Sequence, residues 1–272
     1  MAEPRWLQPF GNGYRLIYDD GSKQTFIGAS NNRYIPQGLQ PGGGGIDPVY
    51  PDPVNDGAGI QITAQMVMAG VKAIGGTATA MLQTSQQIAD GFNAAIAATY
   101  PGILSSKNRA ACMIGECAQE TGGFRLNVEQ GVDDARYAPY IGRGWIQLTW
   151  RDSYAAFGAW LKSFGIIADA NMFVNTPTLL ANLQWAPYTA VYQFTQETWT
   201  NRINGKRENL FQFCDTASSP WETISRAINT GNPYTTFPYY GAELRTRAIK
   251  GVLLVTPEPN TTTGTKYYYP IK

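Results

Sequence analysis

The sequence predicts a mainly α-helical domain preceded by a short β-hairpin segment and a Pro/Gly-rich linker. Three observations carry this expectation. Beyond Gly57, apolar residues recur at helical spacing; strand signal in that half is confined to the neighbourhood of Trp145 and Leu148; and residues 35–57 are too dense in Pro and Gly to build a core. A chain of 272 residues has room for one domain of roughly 200 residues and a small appendage. The expected divisions are an attachment segment with its hairpin over 1–34, a linker over 35–57, a helical domain over 58–255 and an extended tail over 256–272.

Each element has a local reason. Residues 14–18 and 23–27 bracket Asp19-Asp20-Gly21, which reads as a hairpin turning on glycine. A lone hairpin is marginal in water and needs a partner surface. Gly42-Gly43-Gly44-Gly45 and Pro48-Val49-Tyr50-Pro51-Asp52-Pro53 keep the linker extended. Residues 60–81 are apolar, but Gln61, Gln65 and Lys72 interrupt them and Gly75-Gly76 breaks them, which predicts a helix of a globular domain and no membrane span. Ile88, Phe92, Ala95 and Ile96 mark the next helix. Ser105-Ser106 caps another, which runs through Ala110, Met113, Ile114 and Cys117 to Glu120 and stops at Thr121-Gly122-Gly123. Further helices are expected over 154–164, 178–198, 220–229 and 242–253. No internal repeat is visible.

Composition excludes several kinds of chemistry. The chain contains no histidine, so Ser-His-Asp and Cys-His nucleophilic arrangements are impossible and so are His-ligated zinc sites. If the protein is an enzyme, carboxylates must move the protons, and neither a metal nor a cofactor is implied. A net charge of +1 gives no electrostatic footprint for nucleic acid. Charged residues are 15% of the chain, below the roughly 25% usual for soluble domains. The polar surface must then be Asn, Gln, Thr, Ser and Tyr, which suits carbohydrate. Three cysteines cannot pair completely; Cys112, Cys117 and Cys214 read as small buried residues. The first residues lack the charged-then-apolar pattern of a signal peptide.

Glu120 stands at the expected end of a helix whose preceding residues are largely apolar. Desolvation and the negative end of the helix dipole both disfavour a carboxylate there, as a general acid requires. Glu129 follows nine residues later, past two glycines, in a polar stretch with Asn127 and Gln130. It is expected to stay ionised and activate water. Two carboxyls in contrasted surroundings match the division of labour in glycoside hydrolysis.

The segment Cys117-Ala118-Gln119-Glu120-Thr121-Gly122-Gly123-Phe124, followed by Gly142-Arg143-Gly144-Trp145-Ile146-Gln147-Leu148-Thr149, resembles the signature of glycoside hydrolase family 19, which includes chitinases and phage endolysins. Asn175-Thr176-Pro177-Thr178-Leu179-Leu180 and Ala227-Ile228-Asn229-Thr230-Gly231-Asn232-Pro233 resemble two later motifs in the same order, so the resemblance spans about residues 84–255. It implies a lysozyme-like, mainly helical fold and an inverting mechanism. By position it makes Glu120 the general acid and Glu129 the general base, with Thr149 helping to hold the attacking water. Gln147 and Asn229 take sugar-binding places and Tyr140 a cleft-lining one, while Arg143 or Arg245 pairs with carboxylates in the cleft floor. The nine-residue spacing between the glutamates is similar to that of phage endolysins and favours peptidoglycan over chitin.

The chain departs from the family pattern in three places. Gln119 stands where the family has a histidine beside the acid. Ser153 occupies a sugar-binding asparagine's place in plant chitinases, which weakens that subsite. Glu116 lies one helical turn before Glu120 and is a structural partner for an arginine, a perturber of Glu120 or a surface charge. Among the aromatics, Trp150, Trp160, Trp185 and Trp199 read as core, whereas Trp145 either stacks on sugar or packs inside. The resulting expectation is a peptidoglycan-cleaving lysozyme of a phage virion, docked on tail or virion proteins through residues 1–57 and acting in the host envelope. A free endolysin acting from the host cytoplasm, a chitinase and a non-catalytic tail protein are the alternatives.

Overall fold

The computed structural model describes three backbone strands, Pro4–Phe10, Gly13–Tyr18 and Lys23–Phe26, and then residues 59–131 and 136–259. The linker, the Asp19-Asp20-Gly21 turn and all but the first residues of the expected tail lie outside the described residues. The strands β1 (Pro4–Phe10), β2 (Gly13–Tyr18) and β3 (Lys23–Phe26) form an antiparallel sheet in the order β1-β2-β3. The expected hairpin is β2 with β3, in a register that pairs Tyr14 with Phe26 and Leu16 with Gln24. The added strand β1 carries Pro4 and Pro9, which cannot donate to a ladder; β1 accordingly lies at a sheet edge.

The helical domain is built around α3 (Lys107–Glu120), N-capped by Ser106, whose side chain accepts from the Arg109 N–H. All ten positions from Arg109 to Ala118 are buried, so α3 is enclosed on every side. Helix α1 (Ala64–Ala73), capped by Thr63, and helix α9 (Ala242–Val255) pack against it. Contact between α3 and α9 is backbone-close: a Cβ on Gly115 would sit 2.7 Å from the Ile249 Cα. Only glycine permits that approach. Helix α2 (Ser85–Thr99) starts in a capping box of Thr84 and Gln87 and buries Ile88, Phe92, Ala95 and Ile96, the residues whose spacing announced it.

The second half contains the expected helices, with corrections, and adds a short helix over Leu210–Thr216 that the sequence does not predict. Helix α4 (Arg151–Ser163), the single turn α5 (Met172–Asn175), α6 (Ala186–Gln196), α7 (Leu210–Thr216) and α8 (Pro220–Thr230) complete the domain. The single helix expected over 178–198 is divided: a 3-10 turn covers Pro177–Ala181, and α6 begins only at Ala186. Pro187 in its first turn lacks an N–H and so can start a helix but not continue one. After Glu197 the chain becomes β4 (Thr198–Thr200), paired antiparallel with β5 (Arg207–Asn209). Thr and Trp favour that extended state over another helical turn. The strand expected near Trp145 is instead a tight turn. Positive φ at Gly144 and Gln147 reverses the chain, leaving isolated bridges from Arg143 to Val128 and to Leu148.

Candidate active site

Glu120 is the last residue of α3, where the helix hands over to Thr121 and the left-handed Gly122 and Gly123. One Glu120 oxygen, Oε1, accepts from Arg245 Nη2 at 2.5 Å. The same guanidinium donates through Nη1 to Glu116 and through Nε to the Tyr240 carbonyl at 3.0 Å. Glu116 is completely buried and also accepts from the Ser225 hydroxyl. Burial pushes the Glu116 carboxyl above its usual range, and the pull of Arg245 offsets this only in part. Burial also works against the charge of Arg245, but the two carboxylates outweigh it and hold the guanidinium ionised. Of the three readings of Glu116, the structural partner of an arginine is the one realised, and that arginine is Arg245.

Glu129 is held differently. Its N–H donates to the Gly142 carbonyl at 2.8 Å, and the Gly142 N–H returns a bond to its Oε2 at 2.9 Å. The hydroxyl of Tyr137 donates to Oε1 at 3.0 Å. Burial and the adjacent carboxylate both raise the Tyr137 phenol, which keeps it a donor. The Tyr137 ring is braced edge-on against Trp150, with centroids 5.1 Å apart. Gly142 is required by space: a Cβ there would lie 2.9 Å from Gln147 Oε1 and 3.1 Å from Glu129 Oε2.

Both carboxylates line one cleft of about 720 Å³, together with Gln147, Thr149, Ser153 and Asn229. The Thr149 hydroxyl donates to the Gln147 carbonyl at 2.8 Å and retains its lone pairs. The Gln147 amide donates to the Gly144 carbonyl, and Asn229 Oδ1 accepts from the Tyr240 N–H. Gln119 stays outside this lining and lies against Gly241 at the start of α9.

Three sequence assignments are corrected. Trp145 is 2% exposed and wedged between Phe92 and Phe124, at 4.5 and 5.3 Å between centroids, so it packs the core and offers no face to sugar in this cleft. Tyr140 turns inward, its hydroxyl on the Val174 carbonyl and its ring against Tyr154. Of the two arginines offered as carboxylate partners, Arg245 fills that place, while Arg143 keeps a structural one: it donates to the Pro139 carbonyl and the Tyr154 hydroxyl, supporting the loop from behind. Trp150, read as core, is instead the tryptophan that lines the cleft. Its positive φ of 78° turns the ring out of the run that leads into α4.

The cleft also holds residues the motifs did not announce: Tyr137, Gln193 and Glu197. A signal for Glu197 existed. It is the only acidic residue between Asp169 and Glu208, and like Glu120 it ends an apolar helical run.

No protein-family model matches the chain. Among solved structures, a chitinase C variant with one glutamate changed to glutamine superposes with a TM-score of 0.51 at 19% identity, over 74% of this chain and 96% of that one. A bacterial family 19 chitinase gives a TM-score of 0.49 at 21% identity, covering 70% and 95% of the two chains. Chitinase C from Streptomyces griseus gives 0.45 at 21%, covering 75% and 97%. At this identity the likeness to the chitinase C variant establishes the fold: the chain has the mainly helical, lysozyme-like fold of family 19 chitinases.

Proposed function

We propose that this protein is a glycoside hydrolase that cleaves β-1,4 glycosidic bonds of bacterial peptidoglycan with inversion. The observation that carries the reading is the contrast between two carboxylates in one cleft. Glu129 has both oxygens occupied as acceptors, from the Tyr137 hydroxyl and the Gly142 N–H. Glu120 has Oε1 fixed by Arg245, which leaves Oε2 as the atom to carry a proton to the leaving oxygen. In the proposed step Glu120 protonates the glycosidic oxygen as the bond to the anomeric carbon breaks. Glu129 takes a proton from a water that attacks the opposite face, and Thr149 accepts a hydrogen bond from that water. The short connection between the glutamates supports peptidoglycan over the chitin that the superposed enzymes' names describe. We further propose that residues 1–57 dock onto a phage tail or virion and deliver the enzyme to the host envelope; a separate sheet and a Pro/Gly linker ahead of the helical domain support this.

The test is turbidity loss of purified walls, with NMR of the first products. Glu120→Gln should lower the rate roughly 10²–10⁴-fold with its circular dichroism spectrum unchanged. Wild-type products should appear first as the α-anomer. Cleavage of chitin but not of walls would move the substrate assignment to chitin. A folded Glu120→Gln variant that lyses walls at the parental rate would remove Glu120 from the reaction.

A further inference from the structure

The cleft wall contains a third carboxyl that the acid/base pair does not use. Glu197 caps the C-terminal end of α6 and is 7% exposed, although it lines the cleft beside Gln193. Gln193, one turn earlier, hydrogen-bonds to it, and no cation pairs with it among the described residues. Other inaccessible carboxylates are treated differently. Glu116 has Arg245 and Ser225, and Glu208 takes donors from Asn201, Asn204 and Thr216.

The charged groups on the elements around α6 are otherwise engaged or exposed. Asp90 of α2 accepts from Gln86, Glu120 of α3 is tied to Arg245, and Asp215 of α7 is paired with Arg109. Arg207 of β5 donates to Thr198, and Arg151, Asp152 and Lys162 of α4 face solvent. Glu129 lines the same cleft but is held by Tyr137 and Gly142. Tyr192 of α6 is the titratable neighbour; burial and then Glu197 push its phenol up, so it stays neutral.

A buried carboxyl without a cation is most stable with its proton on. A protonated carboxyl donates as well as accepts, whereas its anion only accepts. We infer that Glu197 is a sugar-binding residue of the cleft, whose carboxyl O–H donates a hydrogen bond to an acceptor oxygen of a bound N-acetylated aminosugar. The acetamido carbonyl, which can only accept, is the group best matched to it. The inference rests on the glycosidase reading and adds a binding contact to it. Burial pushes the Glu197 carboxyl up to about 8, so the donor persists at neutral pH and is lost in mild alkali.

The experiment uses the full chain carrying Glu120→Gln, which slows turnover enough for binding to be measured. Binding of the β-1,4-linked hexamer of N-acetylglucosamine is measured by calorimetry from about pH 6 to about pH 9.5. Affinity should be level at the acid end and fall about tenfold per pH unit above roughly pH 8. Adding Glu197→Gln retains a donor that does not titrate. That protein should bind within about threefold of its parent at pH 6 and stay level, so that it binds more tightly than its parent at the alkaline end. In parallel, the carbon-13 carboxyl signal of the parent that titrates near pH 8 should move to a higher midpoint when the hexamer binds. A level parental profile, an equal alkaline loss in both proteins, or an unmoved midpoint overturns the inference. If wild type still lyses walls, the hydrolase reading survives that outcome. Absence of glycan binding at every pH, with no lysis, overturns both.

Discussion

Replacing Arg245 with methionine removes the cation shared by Glu116 and Glu120 while keeping most of the volume. Arg245 is 2% exposed and Glu116 is fully buried, so nothing from solvent can substitute for the lost charge. Breaking a buried pair by removing one partner costs roughly 3–5 kcal/mol, because the other charge is left uncompensated. For a domain of about 200 residues, where 1 kcal/mol shifts melting by roughly 2–4 °C, this corresponds to a fall of roughly 6–20 °C. The loss should also depend on pH with a defined sign. Without Arg245, Glu116 feels burial and Glu120, both of which raise its carboxyl further above the ordinary 4.5. The folded variant then keeps a proton that the unfolded chain releases. Its stability is fullest below that ordinary value and is lost as pH climbs toward the folded one. The gap from wild type should therefore be small near about pH 4.5 and largest near about pH 8. Urea unfolding followed by far-ultraviolet circular dichroism at several pH values reads this directly. Glu116→Gln combined with Arg245→Met should recover most of the loss, since no charge remains buried there without a partner. A deficit below about 1 kcal/mol near pH 8, or one equal at all pH values, would refute the reasoning.

Three further outcomes are expected. Tyr137→Phe removes one of the two side-chain acceptor bonds of Glu129 and should lower kcat by about 3–10-fold with little change in KM, as initial rates on soluble wall fragments would show. Glu197→Gln should stabilise the fold in alkali. The wild-type carboxyl, raised from 4.5 to about 8, loses stability relative to the unfolded chain as pH rises between those values, whereas the amide does not. Unfolding free energies from urea titrations should agree near pH 4.5 and diverge by an amount on the order of a few kcal/mol above pH 8. Finally, residues 58–272 alone should fold and lyse isolated walls but fail to join virus particles; a truncated protein that still packages would defeat the attachment proposal.

The sequence disclosed the helices more readily than the cleft. Helices α2, α3, α8 and α9 were legible because their apolar spacing, caps and stopping residues agree with one another, as at Ser106 and Gly231. Helix α7 was missed because its seven residues span too few turns to display a period. The break before α6 depended on Pro187, whose effect is positional and easily overlooked inside an apolar run. Within the cleft, Glu120, Glu129, Gln147, Thr149, Ser153 and Asn229 converge as expected. Among the tryptophans read as core, Trp160, Trp185 and Trp199 pack as expected, but Trp150 does not, because facing is set by backbone sign. The positive φ at Gln147 and Trp150 sends Trp150 outward and leaves Trp145 inside, and no spacing rule reveals such a reversal.

The lock between α3 and α9 bears on when the site can form during synthesis. Arg245 reaches Glu116 and Glu120 across 129 and 125 residues of sequence, and Gly115 admits the backbone at Ile249 where any larger residue would hold it off. Contacts so distant along the chain are slow to close and have no local substitute. As the polypeptide leaves the ribosome, α3 must wait with an unneutralised glutamate at its centre until α9 arrives. Glu116 and Glu120 are translated in the first half of the molecule, yet their electrostatics are completed by its last described helix. Nascent chains that stop short of α9 would carry both glutamates without the arginine that organises them, so assembly of the site reports that translation has run through the domain.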